Sequence, residues 1–146
     1  MIQRIQSIFL LLAAAAAFGL FALPFADTAQ QVSASALFSD SIFSITDHPV
    51  LLALFCIAGG LSFISIFMFR NRKTQLLVGR FAIIANVIGL VFAIILFIQD
   101  KDTLGDAVPN DGLGLYLPLI FLVFGLLAQR YILKDEKLVR SMDRLR

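Results

Sequence analysis

The sequence predicts an all-α integral membrane protein. The expected fold is a four-helix bundle with both termini in the cytoplasm and a cytoplasmic amphipathic extension of the fourth helix. Three observations predict it. The chain has 146 residues, of which 60% are hydrophobic and 15% charged, whereas a soluble domain carries roughly 25% charged residues. So small a chain cannot hide that much apolar surface in a water-soluble core. Its apolar residues fall into four near-continuous runs, each close to the ~20 residues that a membrane-spanning helix needs. Its cations then collect on one side of those runs.

Each element follows in order. The opening stretch MIQRIQSIFLLLAAAAAFGLFALPFA has one cation, Arg4, ahead of an uncharged run from Ser7 to Ala26. A cleaved secretory signal has a shorter apolar region of about 7–15 residues, then small residues at the cleavage point. SASA at 33–36 has suitable residue types but lies far past the run. The segment is therefore expected to stay as a first span, residues 5–25. An outer loop, 26–48, leads to a second span, 49–69, opened by Pro49 at a helix's first turn, where proline is tolerated. RNRKTQ joins it to a third span, 76–98. QDKDTLGDAVPNDG is rich in Asp, Gly and Pro and reads as a turn-forming outer loop, 99–113. The fourth span is 114–133. Nothing in the tail, 134–146, breaks a helix, so span four should run on into it. Residues 1–146 read as one membrane domain.

Charge sets the orientation, because Lys and Arg of short loops stay on the cytoplasmic side. Arg4, then Arg70, Arg72, Lys73 and Arg80, then Arg130, Lys134, Lys137, Arg140, Arg144 and Arg146 share one side, eleven of twelve cations, with Lys101 opposite. Asp27, Asp40, Asp47, Asp100, Asp102, Asp106 and Asp111 all fall on the side poor in cations. Both termini are thus expected inside. Arg80, about one turn into span three, should run its stem along apolar surface and reach the headgroups.

The residue inventory bounds the chemistry. A net charge of +2 is too small to suggest a nucleic-acid partner. Metal and haem sites need clusters of His, Cys or carboxylate, and the chain has one histidine, His48, and one cysteine, Cys56. TDHP reads better as a capped helix start, with Asp47 or His48 near the N-cap. SDSIFSITDH holds the residue types of a nucleophile–base site without spacing that points to one. No Asp or Glu lies inside a span, which argues against ion-coupled transport. The expectation is a non-enzyme with no cofactor and no metal.

The informative residues are those that pack. Asn86 is an amide within FAIIANVIGLVFAIIL and needs a partner in hydrocarbon. Ala85, Gly89 and Ala93 form a row of small residues four apart, which lets a neighbouring backbone come close. Spans two and three share a short connection and should be antiparallel neighbours. Counting outward from it places Asn86 level with residue 64, so its expected partner is Ser62, Ser65 or a span-two carbonyl. Surface contacts are expected at two places. In the tail, Leu138, Met142 and Leu145, with Val139 at the edge, form an apolar stripe opposite charged residues. In the first outer loop, Phe38, Ile42 and Phe43 alternate with polar residues and are expected to rest at the membrane interface or dock a partner.

The N-terminal MIQRIQS followed by IFLLLAAAA resembles a small four-helix integral membrane protein family known from Bacteroidota, a domain of unknown function. The resemblance extends over the whole chain in size, four spans, short basic middle loop and charged tail. It implies a multi-pass protein of a bacterial inner membrane and brings no activity or site residues. Two functions remain open from the sequence. One is a non-catalytic protein that acts through helix packing, as a small subunit, scaffold or assembly factor with a membrane-protein partner in the bilayer. The alternative is a minimal transporter or channel working as a homo-oligomer, with Asn86, Ser62, Ser65 and Gln129 as the available polar lining.

Overall fold

The computed structural model describes residues 2–105 and 107–143, with side chains for 5–105 and 107–139. Four helices carry the chain: α1, Ile2–Gly19; α2, Pro49–Phe67; α3, Arg72–Asp100; and α4, Leu117–Asp143. Their packing is cyclic, α1 against α2 and α4, and α3 against α2 and α4. By length and composition α2, α3 with the 3-10 turn that follows it, and α4 are apolar and long enough to cross a membrane, whereas the apolar part of α1 is shorter. Span four continues as one helix to Asp143.

Helix ends follow local chemistry. The expected first span, 5–25, is cut short because α1 stops at Gly19. Tight i→i−3 bonds follow, Phe21 N–H to the Phe18 carbonyl at 3.1 Å and Ala22 N–H to Gly19 at 3.0 Å. Pro24 then biases its predecessor away from helical angles. His48 caps α2, its Nδ1 accepting from the Val50 N–H at 3.2 Å. Asp47, the other candidate cap, instead accepts from the Ser44 N–H at 2.6 Å. Asn71 caps α3, accepting from the Thr74 N–H. Gln75, assigned to the connection from sequence, lies inside α3.

The all-α expectation needs one correction. The two loops expected outside, residues 26–48 and 99–113, build a three-stranded antiparallel sheet in the order β2-β1-β3 from β1 (Ala26–Thr28), β2 (Ile42–Phe43) and β3 (Pro109–Asp111). Ala26 stands opposite both Phe43 and Asp111. Strands of two or three residues are too short to show a period of two, so the sequence carries no legible strand signal. The sheet continues into a close backbone crossing: Gly112 N–H donates to the Phe25 carbonyl at 2.9 Å and Gly114 N–H to Pro24 at 2.8 Å.

The buried residues sort by depth. Under the sheet lies an aromatic cluster, Phe25, Phe38, Phe43 and Phe55 with Leu20, Ile45 and Leu51. The middle is built of alanines, Ala13, Ala16, Ala17, Ala58, Ala82 and Ala85, around Phe121. At the opposite end Leu10, Leu76, Ala128 and Ile132 close the bundle. Four of the five alanines of the α1 run, Ala13, Ala14, Ala16 and Ala17, are buried, and their small side chains let helices approach.

Two glycine substitutions separate packing from propensity. A Cβ on Gly114 would overlap the carbonyl oxygens of Leu23 and Pro24, whereas one on Gly60 would meet nothing within 4 Å. Gly114→Ala should therefore destabilise by about 1–3 kcal/mol, as overpacking does. Gly60→Ala, in the middle of α2, should be neutral or stabilise by up to ~1 kcal/mol. Thermal unfolding of the two variants in detergent checks this; equal midpoints would show that the crossing over Pro24 yields freely.

Candidate functional site

At the end of the bundle that carries the α2–α3 turn, polar side chains tie each helix to the next. Gln6 of α1 donates from Nε2 to the Tyr131 carbonyl of α4 at 3.1 Å. Gln129 of α4 donates to the Leu76 carbonyl of α3 at 3.2 Å. Gln75 of α3 donates to the Ser65 carbonyl of α2 at 3.0 Å. Ser62 of α2 donates from Oγ to the Leu10 carbonyl of α1 at 3.1 Å. The four bonds close a circuit, α1 to α4 to α3 to α2 and back to α1. All four donors are buried. Ser65 adds a bond back across the α2–α3 seam, from Oγ to the Gln75 carbonyl at 3.4 Å. Gly79 makes room for the Gln129 bond, since a Cβ there would overlap Gln129 Nε2.

Asn86 is buried, but its partner is not the expected one. Its Nδ2 donates to the Pro118 carbonyl of α4 at 3.0 Å, and neither Ser62 nor Ser65 takes part. Depth along a helix does not fix rotation about it. Asn86 follows Gly79 by seven residues and so lies within roughly 20° of the same face. That face looks at α4 and Gln129. The row Ala85, Gly89, Ala93 is buried and turns toward α2, where a Cβ on Gly89 would stand 3.0 Å from the Phe55 ring. Gln6 and Gln75 were not picked out from sequence. The available signal was a glutamine at the edge of an apolar run, and both sit at that edge.

At the opposite end of the bundle, under the sheet, the polar focus is Asp100, the last residue of α3. Its carboxylate accepts from the Ala36 N–H at 3.2 Å, the Leu37 N–H at 3.1 Å, the Thr103 hydroxyl at 2.8 Å and the Ser35 hydroxyl. Ser35 Oγ accepts in turn from the Phe38 N–H at 2.8 Å. The SASA stretch, noted for its likeness to a cleavage site, is a loop wound around a carboxylate. This winding corrects the reading of the first outer loop. Phe38 and Phe43 do not face lipid or a partner; they are 0% and 2% exposed. Their rings pack inward, Phe38 edge-on against Phe97 and tilted against Phe43, and Phe43 tilted against Phe25. Ile42, one strand position away, is exposed.

The remaining predicted contacts lie on α4. Leu138 and Val139 are exposed, at 44% and 37%. The side chain of Met142, and Leu145 altogether, lie outside the described residues. Just before the stripe, Asp135 meets Arg72 of α3 at 2.9 Å, and the same guanidinium donates to the Asp135 carbonyl at 3.0 Å. Arg80 is exposed on the surface of α3.

Asp100→Asn replaces an acceptor of four bonds with a group that must turn an NH₂ toward existing donors. It should destabilise by about 1–3 kcal/mol and speed hydrogen exchange at the Ala36 and Leu37 amides. Asp40→Asn, whose Oδ1 accepts a single exposed bond from the Ile42 N–H, should do neither. Unchanged exchange in Asp100→Asn would show that the loop is held by its aromatic residues alone.

No curated protein and no solved structure matches the chain. A family described as a domain of unknown function, DUF4293, matches residues 2–145. With nearly its whole length covered, the chain belongs to the DUF4293 family.

Proposed function

We propose that this chain is a non-catalytic, multi-pass protein of a bacterial inner membrane that acts through helix packing, as a small subunit, scaffold or assembly factor of a membrane complex. One observation carries the reading. Ser62, Ser65, Asn86 and Gln129, the residues a polar path would need, all donate to backbone carbonyls of neighbouring helices. They serve as ties and not as a lining. In this reading lipid surrounds the exposed apolar faces, such as Phe63, Phe67, Phe81 and Ile88, and both termini lie in the cytoplasm. The tail then offers the partner surface. Arg72 fixes the start of the tail through Asp135, and Leu138 and Val139 continue the helix outward with their apolar side chains exposed.

Topology is tested by reporter fusions after residues 30, 75, 107 and 146. They should alternate out, in, out, in, because eleven of twelve cations then stay inside. An external C-terminus would overturn the orientation. Function is tested by co-purification of the full chain in mild detergent. A stoichiometric foreign membrane protein should accompany it, and deletion of 138–146, which spares Asp135, should weaken that complex while leaving insertion intact. A lone symmetric oligomer that conducts solute in liposomes would replace this reading with the transporter.

A further inference from the structure

Beneath the sheet, beside the last third of α3, is an apolar hollow of about 110 Å³. Phe25 and Phe43 form its far wall, Ala93 and Ile94 its α3 side, and Leu115, in the 3-10 turn before α4, lines the hollow from the α4 side; Asp111 lies at the sheet. We propose that this hollow is a binding site for the acyl chain of an outer-leaflet membrane lipid. The proposal rests on the membrane reading above.

Four observations select that ligand. The walls are hydrocarbon and aromatic carbon apart from Asp111 and the nearby backbone, and a bound water needs two to four polar partners. The volume is close to that of an apolar cavity of ~150 Å³ that takes up benzene, so the end of an acyl chain fits. The hollow is continuous with lipid-facing surface: Ile94 is both a wall residue and 46% exposed, beside exposed Val91, Ile95 and Ile98 on the same helix. An occupant can therefore enter sideways from the bilayer without crossing water. Finally, the small side chain of Ala93 makes the room. It is 4% exposed, and a larger residue there would fill the space between α3 and the Phe25–Phe43 wall. Asp111, which lines the hollow and stands opposite Ala26, puts one carboxylate at its sheet side. That charge disfavours an anionic headgroup and suits a zwitterionic lipid.

The test uses the full chain in phosphatidylcholine nanodiscs doped with a phosphatidylcholine that carries a diazirine near the end of one acyl chain. After illumination, labelled residues are mapped by mass spectrometry. Phe25 and Phe43 decide the outcome, since at 3% and 2% exposure bulk lipid does not touch them. The expected result is label on Phe25 or Phe43 as well as on the exposed Phe63 and Phe81. In Ala93→Phe, which fills the hollow, label at Phe25 and Phe43 should fall severalfold while Phe63 and Phe81 keep theirs. Leu115→Trp narrows the same space from the other wall and should act alike, so a folding failure of one variant leaves the other to decide. Label on Phe63 and Phe81 with none on Phe25 and Phe43 overturns the site, as does equal label in the wild-type chain and both filled variants. Absence of label on all four residues overturns the membrane reading itself.

Discussion

A buried amide or hydroxyl that has lost water must find another partner, and in this bundle the partner is the backbone of the next helix. Gln6, Gln129, Gln75 and Ser62 each bond to a carbonyl one helix away. Carbonyl oxygens have two lone pairs, so each can accept such a bond and keep its place in the helical ladder. The Ser65 carbonyl, in the last turn of α2, uses both, accepting from the Met68 N–H at 3.2 Å and from Gln75 Nε2 at 3.0 Å. In a bilayer no hydrophobic force draws helices together, and side-chain bonds there average about 0.6 kcal/mol. Such bonds are weak individually. Their effect is directional, because each is made at one rotation and one depth of the pair. A closed circuit sets all four rotations together.

The two ends of the molecule solve the same problem by different means. At the α2–α3 end the helices are tied by side chains. At the other end they are tied by loops, since the α1–α2 and α3–α4 connections join one sheet and Asp100 gathers the first of them onto the end of α3. The close crossing of Gly112 and Gly114 over Phe25 and Pro24 then fixes the start of α4 to the end of α1. This explains why α1 can be short. Its helix stops at Gly19, about 27 Å from its start at 1.5 Å per residue, and the chain beyond becomes part of the cap. Between the ends, alanines set the spacing.

What could be read from the sequence depended on how far each signal extends along the chain. Helices α2, α3 and α4 are long apolar runs and were legible, as was the uninterrupted continuation of α4. The sheet was not, because its strands are two or three residues long and pair residue 26 with residues 43 and 111. Phe38 and Phe43 looked like surface residues because they alternate with serines. That alternation is also what a small folded loop needs to bury one side, and the deciding partner, Asp100, lies more than sixty residues away. Asn86 was recognised as a residue that needs a partner. Its true partner was hidden because depth was counted and rotation was not. Gln6 and Gln75 were hidden by position, at run edges where a glutamine is unremarkable.

Two of the amides that tie the helices use their NH₂ group and not their oxygen. Gln75 Oε1 and Asn86 Oδ1 are buried and accept no bond among the described residues. An unpartnered carbonyl oxygen in an apolar interior costs more than a single intramembrane bond returns. Stability alone therefore does not account for an amide at either place, and a leucine would fill similar volume without the cost. The amides differ from leucine in discrimination. If α3 were rotated by one residue, about 100°, Nδ2 of Asn86 would leave the Pro118 carbonyl and the whole amide would be unpaired among apolar side chains. A single buried asparagine plays the same part in coiled coils, fixing register at a cost in stability. Alanine faces, which slide and rotate past one another with little penalty, make such a register lock necessary in the middle of this bundle.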